Sequence, residues 1–137
     1  MKANELMIGD WVLIDAPDRY AGAHGTICSL MHHHSDDGAY FYVFVQDKGV
    51  LLREVFNEDL RPIPLTKDIL EKNGLNTKDL PTHFKEDENF DLELWINDAG
   101  AICWSINVAE YVVLQLQFVH ELQHALRLCG IDKEIVL

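Results

Sequence analysis

Residues 40–46 have the sequence YFYVFVQ, and this segment is the strongest indication of secondary structure in the N-terminal half. Aromatic and β-branched residues follow one another in it, and the run is too short for a stable helix, so it predicts a β-strand. Residues 47–49 predict a tight hairpin loop in which Gly49 adopts a positive φ, and residues 50–56 predict the partner strand.

Further segments extend this hairpin into a larger sheet. Residues 7–14 and 25–31 predict two earlier strands, and residues 57–60 predict a short helical turn before a last strand. Five short strands with a long early loop and such a turn indicate an SH3-like β-barrel, a fold that often serves as a binding module. Pro62 and Pro64 disfavour both helix and inner strand, so this first domain is expected to cover residues 1–64.

Residues 65–137 predict a second domain that contains both helices and strands. A short helix is expected first, with Thr66 as its N-cap and Asn73-Gly74 at its end. Apolar residues then alternate with polar ones, which predicts a three-stranded antiparallel sheet over residues 90–96, 102–107 and 112–116.

A C-terminal helix is predicted from about residue 118 to residue 129, closed by Gly130. Its apolar side is expected to lie on the sheet. The predicted fold class is therefore α+β: an N-terminal SH3-like β-barrel followed by a small antiparallel sheet with a packed C-terminal helix.

The charge of the chain limits its partners. The 137 residues carry a formal net charge of −12, and 48% of them are hydrophobic, which is enough for a core. A surface this acidic repels phosphate groups, so nucleic acids and anionic membranes are not expected as partners. The first residues have no apolar signal segment, and the three cysteines are too few for a disulfide framework. A cytoplasmic location is expected.

One short motif suggests catalysis. Residues 120–124 read HELQH, which matches the H-E-x-x-H pattern of zinc hydrolases. In that chemistry His120 and His124 would bind zinc from one helical face, and Glu121 would polarise the bound water.

The surroundings of HELQH argue against a zinc enzyme. A catalytic zinc needs a third protein ligand, and the metzincin continuation would require Gly and His where this chain has Arg127 and Gly130. An amphipathic helix explains the segment without a metal: Phe118, Leu122 and Ala125 face the sheet, and both His face outward. No cofactor and no catalytic residue is therefore predicted, with zinc on His120 and His124 and catalysis by Glu121 as the alternative.

The strand at 40–46 also predicts a binding surface, because its two faces differ in chemistry. The aliphatic-rich face, made of Phe41, Val43 and Val45, suits the core. The opposite face then carries Tyr40, Tyr42 and Phe44. Clustered aromatic side chains outside a core favour contact with a protein partner, while cover by the second domain is the alternative.

Trp95 is a second expected anchor for a partner. It falls on the polar face of the strand at 90–96, among Asp91, Glu93 and Asn97. A ring of this size needs cover from the first domain, from another copy of the chain or from a partner.

Four segments stand out in order along the chain: ELMIGDWV at 5–12, PIPLTKDIL at 62–70, VHELQH at 119–124 and LRLCG at 126–130. Together they resemble a family of short uncharacterised proteins common in gut Bacteroidetes and in their prophages and mobile elements. The resemblance implies no activity, because the family has none assigned. Its members often have Gln at the position of Glu121 and Asn at that of His124, which argues further against zinc catalysis.

The sequence therefore favours a non-catalytic, protein-binding module whose partner it does not identify. Two alternatives belong to other classes of function. One is a small zinc-dependent hydrolase that uses HELQH, and the other is a structural or assembly protein that forms a homodimer.

Overall fold

A computed structural model of the chain describes residues 1–2, 5–16, 20–35, 38–48, 50–75, 82–87, 90–100, 102–108, 110–128 and 130–137. Side chains are described for these residues except 33–35, 38–40, 52–53, 82–87, 90–96, 104–108 and 110–114. The chain forms two compact units, Met1–Ile63 and Pro64–Leu137. The predicted domains, 1–64 and 65–137, are divided one residue further along the chain.

The first unit contains a five-stranded antiparallel sheet. Its strands are β1 (Trp11–Ile14), β2 (His24–Ser35), β3 (Gly38–Asp47), β4 (Val50–Phe56) and β5 (Leu60–Pro62). Their spatial order is β4-β3-β2-β1-β5, and a 3₁₀ turn at Asn57–Asp59 precedes the last strand as predicted. No ladder joins β4 to β5 in the described residues, so there the sheet is open and not closed into a barrel.

The inner face of this sheet forms the core of the first unit. Phe41, Val43 and Val45 of β3 are buried, which confirms the predicted division of the strand into two faces. Val55 of β4 lies opposite Val43 and is equally inaccessible to water. The remaining core side chains come from the other strands and the segments beside them: Leu6, Val12, Ile14, Ala16, Ile27 and Leu60.

The β3–β4 hairpin turn contains a residue with a side chain in the left-handed region. Lys48 has a φ of 48°. Gly49 itself lies outside the described residues.

The second unit contains a four-stranded antiparallel sheet in the order β6-β7-β8-β9. Its strands are β6 (Thr82–Asp87), β7 (Phe90–Ile96), β8 (Ile102–Val108) and β9 (Glu110–Leu116). The prediction of three strands was therefore wrong by one. Residues 82–87 read THFKED, and this segment lacks the alternation of apolar residues that marks a half-buried strand. It joins the sheet at an edge, where pairing with β7 needs no such pattern.

The two helices of this unit, α1 (Lys67–Lys72) and α2 (Val119–Leu128), end in the same way. In each, a glycine with positive φ follows the helix, and the next residue donates its N–H to a carbonyl of the last turn. This Schellman arrangement places Leu75 after α1 and Ile131 after α2 in buried positions. At the other end of α1, Thr66 accepts the N–H of Ile69 at 3.3 Å, which confirms the predicted N-cap.

Asn73, at the end of α1, holds the C-terminal segment. Its Nδ2 donates to the carbonyl of Val136 at 2.7 Å, and its Oδ1 accepts the N–H of Val136 at 2.8 Å. The side chain of Lys72 donates to the carbonyl oxygen of Leu137. Ile135, next to Val136 in the chain, is buried, so hydrogen bonds from side chains to the backbone and apolar burial together hold the C-terminal segment.

The structure thus confirms the α+β class, the antiparallel sheet and the C-terminal helix. Neither helix in the described part of the chain has the length and apolar character needed to cross a membrane.

Candidate functional site

The outer face of the first sheet carries a cluster of large apolar side chains. Met31 of β2, Tyr42 of β3 and Phe56 of β4 lie side by side across three strands, because the register pairs Tyr42 with both neighbours. Phe44 lies two residues along β3 on the same face. We call these four residues the aromatic face.

The rings of the aromatic face pack edge to face. The centroids of Tyr42 and Phe44 are 5.9 Å apart with a 77° angle between the ring planes. Those of Tyr42 and Phe56 are 6.2 Å apart at 66°. This geometry is the favourable one for aromatic pairs, so Tyr42 is held between its neighbours in a defined orientation.

This cluster is open to solvent at its edges. Tyr42 and Phe44 are half-buried, while Met31 is 45% exposed and Phe56 is 38% exposed. Leu51 of β4 is 58% exposed. The exposed carboxylate of Glu54 lies directly opposite Phe44 on the same face. The result is an apolar surface with an acidic group beside it.

The structure describes the side chains of only two of the four residues that were predicted to contact a partner. Tyr42 and Phe44 share the outer face as the alternation requires. The side chains of Tyr40 and Trp95 lie outside the described residues. Met31 and Phe56 were not predicted as members. The hairpin register could have indicated Phe56, because a two-stranded pairing around residues 47–49 places it close to Tyr42.

The second candidate site is the HELQH segment, which the structure places on α2. The Oε2 atom of Glu121 accepts the backbone N–H of Gln117 at 2.7 Å and that of Phe118 at 3.0 Å. A glutamate at the third helical position that reaches back to the N-terminal N–H groups is one half of a capping box. The carboxylate that zinc hydrolysis would need as a base therefore caps the helix.

The two histidines were expected to point away from the sheet, toward water or toward the other domain, and exposure to water is wrong for His120. That side chain is only 5% exposed, whereas His124 is half-buried and Arg127 is exposed. The buried residues of the helix are Val119, His120, Leu122, Gln123, Ala125 and Leu126. At 100° per residue these positions cover an arc of about 220°, wider than the stripe that rests on a single sheet. Helical spacing alone placed His120 on the side opposite the apolar stripe, and it made no assignment for Gln123.

Aromatic contacts surround the buried imidazole. The ring of His120 stacks on Phe118 with 5.8 Å between centroids and 13° between planes. The ring of His124 meets it edge to face at 5.7 Å. The two imidazoles therefore lie near each other, as their spacing requires, but one of them is packed as an aromatic group.

The donor set around HELQH is incomplete within the described residues. No group of three His, Cys, Asp or Glu side chains with metal-binding geometry occurs there. Two neighbouring imidazoles with a carboxylate turned to the helix N-terminus offer two ligands and no base. Of the two candidate sites, the aromatic face is the one whose described side chains are sufficient for the predicted role, which is contact with a protein partner.

Comparison with known proteins gives no match, whether to a family model, to a curated protein or to a solved structure.

Proposed function

We propose that the first unit is an SH3-like binding module and that its aromatic face binds a segment of another protein. Five antiparallel strands with a 3₁₀ turn before the last one support the SH3-like assignment. The observation that carries the proposal is the exposure of Met31 and Phe56 beside the half-buried rings of Tyr42 and Phe44.

The physical reason is the cost of leaving such side chains in water. A fold that needs only a core puts its large apolar side chains on the inner face, as β3 does with Phe41, Val43 and Val45. Aromatic side chains gathered on the opposite face offer a large contact area with few rotatable bonds. For that reason they are enriched among the residues that dominate protein interfaces.

The test compares the double variant Tyr42→Ser, Phe44→Ser with the control Ile8→Ser. Ile8 is 67% exposed and lies outside the aromatic face, so the control removes an exposed apolar group elsewhere in the same unit. Immobilised protein is incubated with cell lysate and the captured proteins are quantified by mass spectrometry. We expect the double variant to lose a specific partner that both the wild type and Ile8→Ser retain. An identical set of captured proteins for all three would contradict the proposal.

The zinc-hydrolase alternative is supported by the proximity of His120 and His124. Metal analysis after dialysis against a weak chelator tests it directly. One zinc per chain, lost in the double variant His120→Ala, His124→Ala, would support a metal site. Hydrolytic activity abolished by Glu121→Gln would support catalysis as well.

The homodimer alternative is disfavoured by charge, because two chains of net charge −12 repel each other. Light scattering at low and at physiological salt separates it from the monomeric module. The cytoplasmic location and the likeness to Bacteroidetes mobile-element proteins are also part of the proposal, and they rest on the sequence.

A further inference from the structure

The two edges of the five-stranded sheet differ in how they meet solvent. At one edge, β5 is three residues long and includes Pro62, which has no N–H to donate. The Nη1 atom of Arg61 also donates to the carbonyls of Glu58 at 2.6 Å and of Leu60 at 3.1 Å. This edge is thus closed to a further strand by its own side chains.

The β4 edge differs from the β5 edge in length and in sequence. The strand is seven residues long, contains no proline and pairs only with β3 among the described residues. Its exposed side chains include Val50 at 65% and Leu51 at 58%. The register with β3 shifts at residue 52, and residues 53–56 beyond the shift pair regularly. The free edge of this regular segment presents backbone donors and acceptors that another strand can pair with.

The register of β4 also determines which side chains an added strand needs in order to match its neighbours. Val55 points into the core, so Glu54 and Phe56 both point to the outer face, next to Phe44 and Tyr42. Side chains directly opposite each other on paired strands lie on the same face and interact. An added strand would therefore place one side chain beside Glu54 and another, two residues away, beside Phe56.

We propose that an extended, basic segment of a partner protein adds to the β4 edge as a sixth strand, with a cationic side chain opposite Glu54 and an apolar one opposite Phe56. This inference rests on the proposed function, since the added strand would extend the aromatic face. Charge selects the partner. The first unit contains ten acidic and five basic residues, so a basic segment is attracted whereas a second copy of the chain is repelled.

Antiparallel addition continues the pattern of the sheet and sets the order of the two side chains. Because an antiparallel partner runs opposite to β4, its apolar residue precedes its cationic residue by two positions. The probe is a fluorescent nine-residue peptide of threonines with phenylalanine at its fourth position and lysine at its sixth. Its control has glutamate in place of the lysine. Binding to the full chain is measured by fluorescence anisotropy at constant salt.

A charge reversal at Glu54 tests its pairing with the lysine of the peptide. We expect Glu54→Lys to weaken binding of the lysine peptide by about tenfold and to strengthen binding of the glutamate peptide, because attraction across the strands becomes repulsion. Glu54→Gln should fall between wild type and Glu54→Lys. No measurable binding of the lysine peptide to the wild type at millimolar concentration would overturn the proposal, as would a Glu54→Lys variant with no preference for the glutamate peptide.

A second measurement tests the backbone pairing without changing the protein. Two forms of the lysine peptide are N-methylated at alternate residues, one at the odd and one at the even positions. In a strand pair every second N–H faces the neighbouring strand, so one form should lose binding and the other should retain it. Equal affinities would show that side chains alone make the contact. If the double variant Tyr42→Ser, Phe44→Ser still loses its partner in that case, only strand addition fails and the proposed function stands.

Discussion

The outer face of the first sheet and the HELQH helix of the second unit are the two regions where function was predicted, and they use their side chains in opposite ways. On α2 the residues that match the catalytic pattern stabilise the helix and its packing: Glu121 caps the helix and His120 is buried against Phe118. On the aromatic face, Phe56 and Met31 remain partly in solvent beyond what the core needs. In this protein the residues that match the catalytic pattern therefore have a structural role in α2.

This difference predicts that substitutions on α2 reduce stability and that substitutions on the aromatic face reduce binding. The largest effect is expected for Leu122→Ala, because Leu122 is buried in the middle of α2. We expect a loss of about 3 kcal/mol in the free energy of unfolding of the second unit. Urea unfolding in a Trp11→Phe background checks this, since Trp95 and Trp104 then report on that unit alone. A loss below about 1 kcal/mol would show that α2 is not part of the core.

Asn73→Ala should cost about 2 kcal/mol, because it removes three partly buried hydrogen bonds, two of which join the end of α1 to the backbone of Val136. Amide hydrogen exchange locates the effect: the N–H of Val136 should exchange faster than in the wild type. The control Lys133→Ala changes an exposed residue of the same segment and should leave that exchange rate unaltered. Unchanged protection in Asn73→Ala would contradict the role of the amide.

Glu121→Ala should cost about 1 kcal/mol, the usual value for loss of a helix cap. Glu121→Gln should cost less, because the amide oxygen can still accept the N–H groups of Gln117 and Phe118. The measurement is again urea unfolding in the Trp11→Phe background. A more stable Glu121→Ala variant would indicate that the carboxylate is held at a cost to the fold, as in an active site.

The smallest effect on stability is expected for Phe56→Thr. This residue is 38% exposed on the outer face and threonine suits a strand, but the edge-to-face contact with Tyr42 is lost, so the free energy of unfolding should fall by about 0.5–1 kcal/mol. Binding of the phenylalanine–lysine peptide should nevertheless fall several-fold. Unfolding followed by Trp11 in a Trp95→Phe, Trp104→Phe background reports on the first unit. A large loss of stability with unchanged binding would remove the contrast between the two regions.

Local patterns were sufficient to predict most elements. The strand at 40–46, its partner at 50–56 and the caps of α1 all follow from residue type and spacing. The edge strand β6 was missed because an edge strand of mixed composition carries no periodic signal. The histidines of α2 were partly misplaced because periodicity shows the direction of the apolar stripe and does not show how wide an arc other segments cover.

Composition is enough to give the charge of the chain, and residues a few positions apart are enough to predict which side chains alternate and where the chain turns. The sequence by itself therefore placed Tyr42 and Phe44 on one face of β3 and proposed the HELQH spacing as a possible metal site. The folded structure was needed to place Met31 and Phe56 on that face, since strand register brings together residues far apart in the chain. It was also needed to show that Glu121 faces the start of its own helix and that His120 is buried, because burial depends on which segments pack around a helix.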